Sequence, residues 1–275
     1  MPSISMRKSS IFLLFDRPCS AAKVLIETPK KMRFLLNRIS LPNFEEMEQE
    51  LKNLELHNYP WILPTIADLL IEKCVMEPHF CPIYCHLLHK QLEIEKEFLI
   101  CSQKTLRRLV IRKCQFMFDT ENIIEQDYGN DVKVIEEVEE EKELWNVSTV
   151  YVLTRKDKKR FLGIVRLISQ LFCHGIIGMK IIDWCLVELL SRYRNTSNEV
   201  YLEYIVQMVQ NVDLAYSGVQ QSKVSEKEPQ RAVPNRTFKA ICLYLTKVKH
   251  NHSKRIRFMI MNLEEHLQAR QIHTY

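Results

Sequence analysis

The sequence predicts an all-α fold, an α-solenoid of about five antiparallel helix pairs, and three observations carry that expectation. Apolar residues recur at i, i+3 and i+4 in segment after segment, the rhythm of one helical face, and no segment reads convincingly as a strand. Glycine occurs five times in 275 residues, too rarely for sheets joined by tight turns or for glycine-rich phosphate loops. The third observation is the stretch Arg160–Leu190, which holds two apolar stripes. Phe161, Ile164, Val165, Ile168, Leu171 and Phe172 form the first, and Ile181, Ile182, Cys185, Leu186, Leu189 and Leu190 the second. Between them Gly175 suits the left-handed position that ends a helix. Burying each large apolar side chain stabilises by about 1.5–3 kcal/mol. Neither helix of this hairpin can bury its stripe alone, so more hairpins must stack on either side.

In order along the chain, residues 1–28 have weak periodicity and read as a loosely ordered leader. A first helix is expected from Pro29 or Lys30 to Arg38. Ser40 is placed to cap a second, with Pro42 in its first turn, Glu45 and Glu46 at its positive end, and a stripe of Phe44, Met47, Leu51 and Leu54. Tyr59 to Met76 makes a third helix, with Pro60 and Pro64 confined near its start, and the Glu77-Pro78 step breaks it. A fourth runs from about Pro78 to Glu95, and a fifth from Glu97 to Phe118. Residues 119–157 read as a long charged connection, with glutamates at 136, 137, 139, 140, 141 and 143 followed by the basic cluster Arg155–Arg160. After the central hairpin come a helix at 198–212, a polar loop at 215–235, and two last helices at roughly 236–249 and 253–270.

Bulk properties narrow the class. A hydrophobic content of 46% is ample for a sizeable core. The nine cysteines are odd in number, several sit on apolar stripes, and no secretory signal precedes them, so reduced thiols in the cytosol or nucleus are expected. The run Ile11–Phe15 after Arg7-Lys8 is too short for a signal peptide core and stops at Asp16-Arg17-Pro18. No run approaches the ~20 apolar residues that span a bilayer, so a soluble protein is expected. The net charge of +5 is unevenly spread: residues 1–38 and 231–275 are basic and the middle is acidic, a pattern that speaks to partners and steering.

Three segments together resemble the middle, HEAT-repeat domain of the eukaryotic translation initiation factor 4G family. Leu35-Leu36-Asn37-Arg38-Ile39-Ser40 with Phe44 is similar to that family's opening motif. The helix Ala67–Met76 running into Glu77-Pro78-His79-Phe80 is similar to a second, and Ser253-Lys254-Arg255-Ile256-Arg257-Phe258-Met259 to a third, with Phe161–Leu190 resembling the family's central pair. The resemblance spans residues 30–270, placing a HEAT-repeat domain at 29–271. It implies a cytoplasmic, non-enzymatic binding scaffold without cofactor that clasps the DEAD-box RNA helicase initiation factor 4A. Many members also bind RNA and the multisubunit initiation factor 3. Carried over residue by residue, the helicase contacts fall on Leu36, Ile39 and Phe44 near one end and on Arg257 and Phe258 near the other. Leu41 stands where the family has a proline, and no Tyr-x4-Leu-apolar sequence that would recruit a cap-binding factor is seen.

Each sharp reading has a plain competitor. Leu36, Ile39 and Phe44 fit core packing as well as an apolar edge left for a partner. Arg155, Lys156, Lys158, Lys159 and Arg160 fit contacts to RNA phosphates, and equally a solvated linker balancing the preceding glutamates. Cys81, Cys85 and His89 share one helix face, but a straight helix advances ~6 Å over four residues, so three so spaced cannot converge on one ion. Packing is the expected role there. No Walker sequence, nucleophile elbow or HExxH points to catalysis. A decay, splicing or poly(A)-binding-protein type RNA adaptor, or a competitor that represses translation, is the alternative function.

Overall fold

The structure is a computed structural model that describes residues 18–98, 105–127, 158–218 and 236–271. Among these residues there are ten α-helices and no strand. We number them α1 (Pro18–Arg38), α2 (Phe44–Lys52), α3 (Leu63–Met76), α4 (Cys81–Glu97), α5 (Leu106–Asp127), α6 (Lys158–Cys173), α7 (Met179–Thr196), α8 (Val200–Gly218), α9 (Arg236–Val248) and α10 (Lys254–Gln271). The all-α, stacked-hairpin expectation holds.

The helices form two layers. In one, α2 packs on α4, α4 on α6, α6 on α8 and α8 on α10, an unbroken row. In the other, α1 packs on α3, α3 on α5, and α7 on α9. Between α5 and α7 this second row opens into an apolar groove of about 340 Å³ lined by Ile111, Phe118, Ile177, Ile181 and Trp184 among others. Two arginines hold its walls together. Arg192 on α7 is buried, donates to the Phe118 carbonyl at 3.1 Å and lies 4.7 Å over the Phe118 ring. Arg107 on α5 donates to the Ile176 carbonyl at 3.0 Å.

Several boundaries differ from the sequence expectation, each for a local reason. Helix α1 begins at Pro18, so residues 18–28 are helical rather than a leader. The stripe it buries runs through Val24, Thr28, Met32, Leu35 and Leu36 to Ile39 just past its end, and polar Thr28 beside Pro29 masks the early part of that stripe. Ser40 does not cap α2. Asn43 occupies the N-cap, and its side chain accepts from the Ser40 N–H at 2.7 Å and donates to the Arg38 carbonyl at 2.9 Å. The expected first turn of α3, from Tyr59, is instead a short 3-10 turn at Pro60–Ile62, where Pro60 and Pro64 withhold N–H groups, and a further 3-10 turn at Leu56–Asn58 precedes it. Helix α5 starts at Leu106 rather than at Glu97 and continues to Asp127, past Phe118. The remainder of the expected leader and of the 119–157 and 215–235 loops lies outside the described residues.

The turn from α6 to α7 forms as the sequence requires. Gly175 has φ +68°, its N–H bonds to the Phe172 carbonyl at 2.9 Å, and the Ile176 N–H reaches back to Leu171 at 2.9 Å. This is the six-to-one closure that satisfies the last carbonyls of a helix.

One buried carboxyl makes stability depend on pH. Glu95, at the end of α4, accepts from the Leu106 N–H at 3.3 Å at the start of α5, while its other oxygen has no hydrogen-bond partner among the described residues. Burial pushes its pKa up to about 7. Between the ordinary glutamate value and pH 7 the folded chain therefore holds a proton that the unfolded chain has released, so this group's contribution falls as pH rises through that window. Glu95→Gln is expected to gain stability relative to the parent as pH rises from about 4.5 to 7. Urea midpoints of both proteins across that range check it; a constant difference would contradict it.

Candidate protein-binding ends

At the N-terminal end, the stripe that builds α1 decides what is left outside. Leu36 is 1% exposed and Ile39 3% exposed, packed inward with Met32, Leu35, Met47 and Leu51. The expectation that these two side chains touch a partner is corrected: α3 packs against α1 and α2 folds back beside it, and together they cover the stripe. Phe44 is half-buried and stacks on His86, with ring centroids 4.3 Å apart and planes 18° from parallel. The residues that do face outward are Phe34, 59% exposed, Leu41, 82% exposed, and Trp61, also exposed. Arg38 sits 4.9 Å over the Phe34 ring and pairs with Glu50 at 3.0 Å. Sequence reading passes over Phe34, yet a signal existed. It is an apolar residue that falls off the 32, 35, 36, 39 stripe of its own helix.

At the C-terminal end, Ile256, Ile260 and Leu263 bury, which turns Arg257 and Phe258 to the outside, Phe258 being 60% exposed. The start of α10 is pinned to the end of α7 and the residue just before α8. The Ser253 N–H donates to Glu199 at 2.9 Å, His252 lies 3.3 Å from the same carboxylate, and Tyr193 meets His252 at 3.1 Å. Hydrogen bonds from Ser253 hold the Glu199 carboxyl below the usual range. Nearby, buried Glu203 takes Arg255 at 2.7 Å and Lys158 at 2.6 Å, so a buried charge is met by two cations. Leu243 on α9 is a further exposed apolar residue at this end.

Of the basic cluster, Arg155 and Lys156 lie outside the described residues. Lys158 is engaged with Glu203, Lys159 is exposed and Arg160 half-buried at the start of α6. His89 is turned towards Glu93, at 3.4 Å, and does not join Cys81 and Cys85. The structure brings those two cysteines to Cys74 instead, a residue the single-helix reading could not reach.

A family model for the MIF4G domain matches residues 29–266. Eukaryotic translation initiation factor 4G of Arabidopsis thaliana is 24% identical over 243 residues, covering 85% of this chain and 12% of that protein. Eukaryotic initiation factor 4F subunit p130 of Saccharomyces cerevisiae is 24% identical over 199 residues, 68% of this chain and 21% of that protein. The matched region is thus a minor part of each relative's length. The crystal structure of the MIF4G domain of Trypanosoma cruzi translation initiation factor EIF4G5 matches with a TM-score of 0.54 at 20% identity, over 90% of this chain and 99% of that one, a likeness of fold. No described helix is long and apolar enough to cross a membrane. Residues 29–266 make up a MIF4G domain, the middle-domain fold of the initiation factor 4G proteins, and the chain belongs to that family.

Proposed function

We propose that this chain is a non-enzymatic scaffold of translation initiation that binds and modulates the DEAD-box RNA helicase initiation factor 4A and contacts mRNA. The observation that carries the reading is the pairing of a MIF4G fold with exposed aromatic and basic side chains at both of its ends. Phe34, Arg38 and Leu41 are exposed and Phe44 half-buried at one end, and Arg257 and Phe258 are exposed at the other. Arginine and aromatic residues are the side chains that most often anchor interfaces. An unbroken row of packed helices holds the two ends at a fixed separation, as a clasp on two mobile lobes requires. A scaffold that binds the lobes in both their open and closed arrangements lets them exchange without releasing the partner, and it shifts their populations only by its difference in affinity for the two. In this reading Leu36 and Ile39 position the N-terminal contact, while Phe44, Arg257 and Phe258 make contact.

The test uses residues whose loss leaves the core intact. The double variant Arg257→Ala, Phe258→Ala is expected to weaken helicase binding by at least about tenfold, the effect of losing one interface anchor. Its unfolding temperature should match the parent's. Helicase ATPase stimulation and pull-down read the effect, and unchanged stimulation by a folded variant would remove Arg257 and Phe258 from the site. A second reading, an RNA-binding adaptor of decay, splicing or poly(A)-binding-protein type or a competitor repressing translation, draws on the exposed Lys159 in the basic cluster. It requires steeply salt-dependent RNA retention together with no helicase stimulation.

A further inference from the structure

Neither the packing of the two layers nor the proposed helicase contacts accounts for a knot of sulfur inside the N-terminal half. Cys74 lies in the last turn of α3, and Cys81 and Cys85 lie on the first turns of α4. Their three sulfur atoms are all within 4.8 Å of one another, and all three residues are buried. The chain reversal at Glu77-Pro78-His79-Phe80 makes this possible, because it lays the end of α3 against the beginning of α4. Cys85 sits one turn above Cys81, and Cys74 closes the triangle from the neighbouring helix.

Cys81 is the first residue of α4, and its N–H donates to the Glu77 carbonyl at 3.1 Å, so the reversal itself fixes where the Cys81 sulfur sits. Three buried sulfurs gathered at one point make a soft, polarisable donor set.

We propose that Cys74, Cys81 and Cys85 form a three-sulfur site for a soft monovalent metal cation of the copper(I) class. The donor set decides the class. Thiolate sulfur selects soft ions over magnesium and calcium. Structural zinc takes four ligands, and among the described residues no histidine, aspartate or glutamate joins these three. His86 is occupied against the rings of Phe44 and His174, and His89 faces Glu93. A metal–sulfur bond of about 2.3 Å in a trigonal arrangement needs sulfurs about 4 Å apart, which is compatible with sulfurs that all lie within 4.8 Å of one another. Each thiol that ligates as thiolate releases one proton to solvent.

The full, reduced chain is titrated anaerobically with copper(I) held by a chromophoric chelator. One ion is expected to transfer to the protein and to raise its unfolding temperature. Cys74→Ala and Cys85→Ala should each lower affinity on the order of 100-fold, while Cys242→Ala, on α9 and outside the cluster, leaves it unchanged. Helical circular dichroism of the metal-free variants establishes that they fold. X-ray absorption of the unaltered protein loaded with one equivalent gives an independent readout, three sulfur neighbours being expected. Copper uptake that is absent, that is equal in Cys74→Ala and the parent, or that shows fewer than three sulfurs would overturn the site and leave the cluster as core packing.

Discussion

Phe161→Ala is expected to destabilise the fold by about 3–5 kcal/mol, the largest effect of any single truncation considered for this chain. Phe161 is 2% exposed at the start of α6, with its ring centroid 5.4 Å from that of Phe118 on α5 and 4.7 Å from that of Tyr204 on α8. It therefore joins both layers at once. Phe118 in turn lies 5.7 Å from Trp184 on α7 and under the Arg192 guanidinium. Removing the ring opens a cavity among three helices whose backbones are fixed by other contacts, so collapse can recover little of the lost packing. Domains of this kind are stable by about 5–15 kcal/mol in total, so the variant should show a large drop in urea midpoint. A loss below about 1 kcal/mol would mean that α6 does not seat where the structure places it.

The second large effect comes from adding a single methyl group. Gly163 on α6 lies so close to α3 that a Cβ there would sit 2.6 Å from the Val75 carbonyl oxygen and 2.9 Å from its Cγ1. The first of these is backbone, and it cannot rotate away. Gly163→Ala is expected to cost about 1–3 kcal/mol even though alanine is the better helix former, because α3 and α6 must move apart. Gly178→Ala provides the control, since nothing lies within 4 Å of a Cβ at that position and its φ of −94° suits any residue. Urea unfolding of both variants decides the matter. If Gly163→Ala were neutral or stabilising, the close crossing of α3 and α6 would be wrong.

These two residues show how unevenly the fold is written in the sequence. The stripe containing Phe161 is plain from spacing alone, and so is the α6–α7 turn at Gly175, where the chain needs a left-handed residue. Gly163 has no such signal. A glycine inside a helical pattern looks like a small local penalty until the neighbouring helix is known. The start of α1 was obscured for a related reason, since Thr28 is a polar member of a buried row. At the candidate binding ends, the periodicity of α10 correctly turns Arg257 and Phe258 outward. On α1 the motif residues Leu36 and Ile39 belong to the core stripe, and the exposed aromatic is Phe34, which no motif marks.

By itself the sequence determined the all-α class, the number and rough bounds of the helices, the hairpin turns and the faces that bury, because these follow from local propensity and a period of 3.6 residues. The tertiary structure decided which helices share a layer, where the second layer opens between α5 and α7, which motif residues are covered, and that Cys74 meets Cys81 and Cys85. Those outcomes depend on distances between segments far apart along the chain or reversed upon each other. Such distances are set by how stacked helices fill space together, and no single helix carries that information.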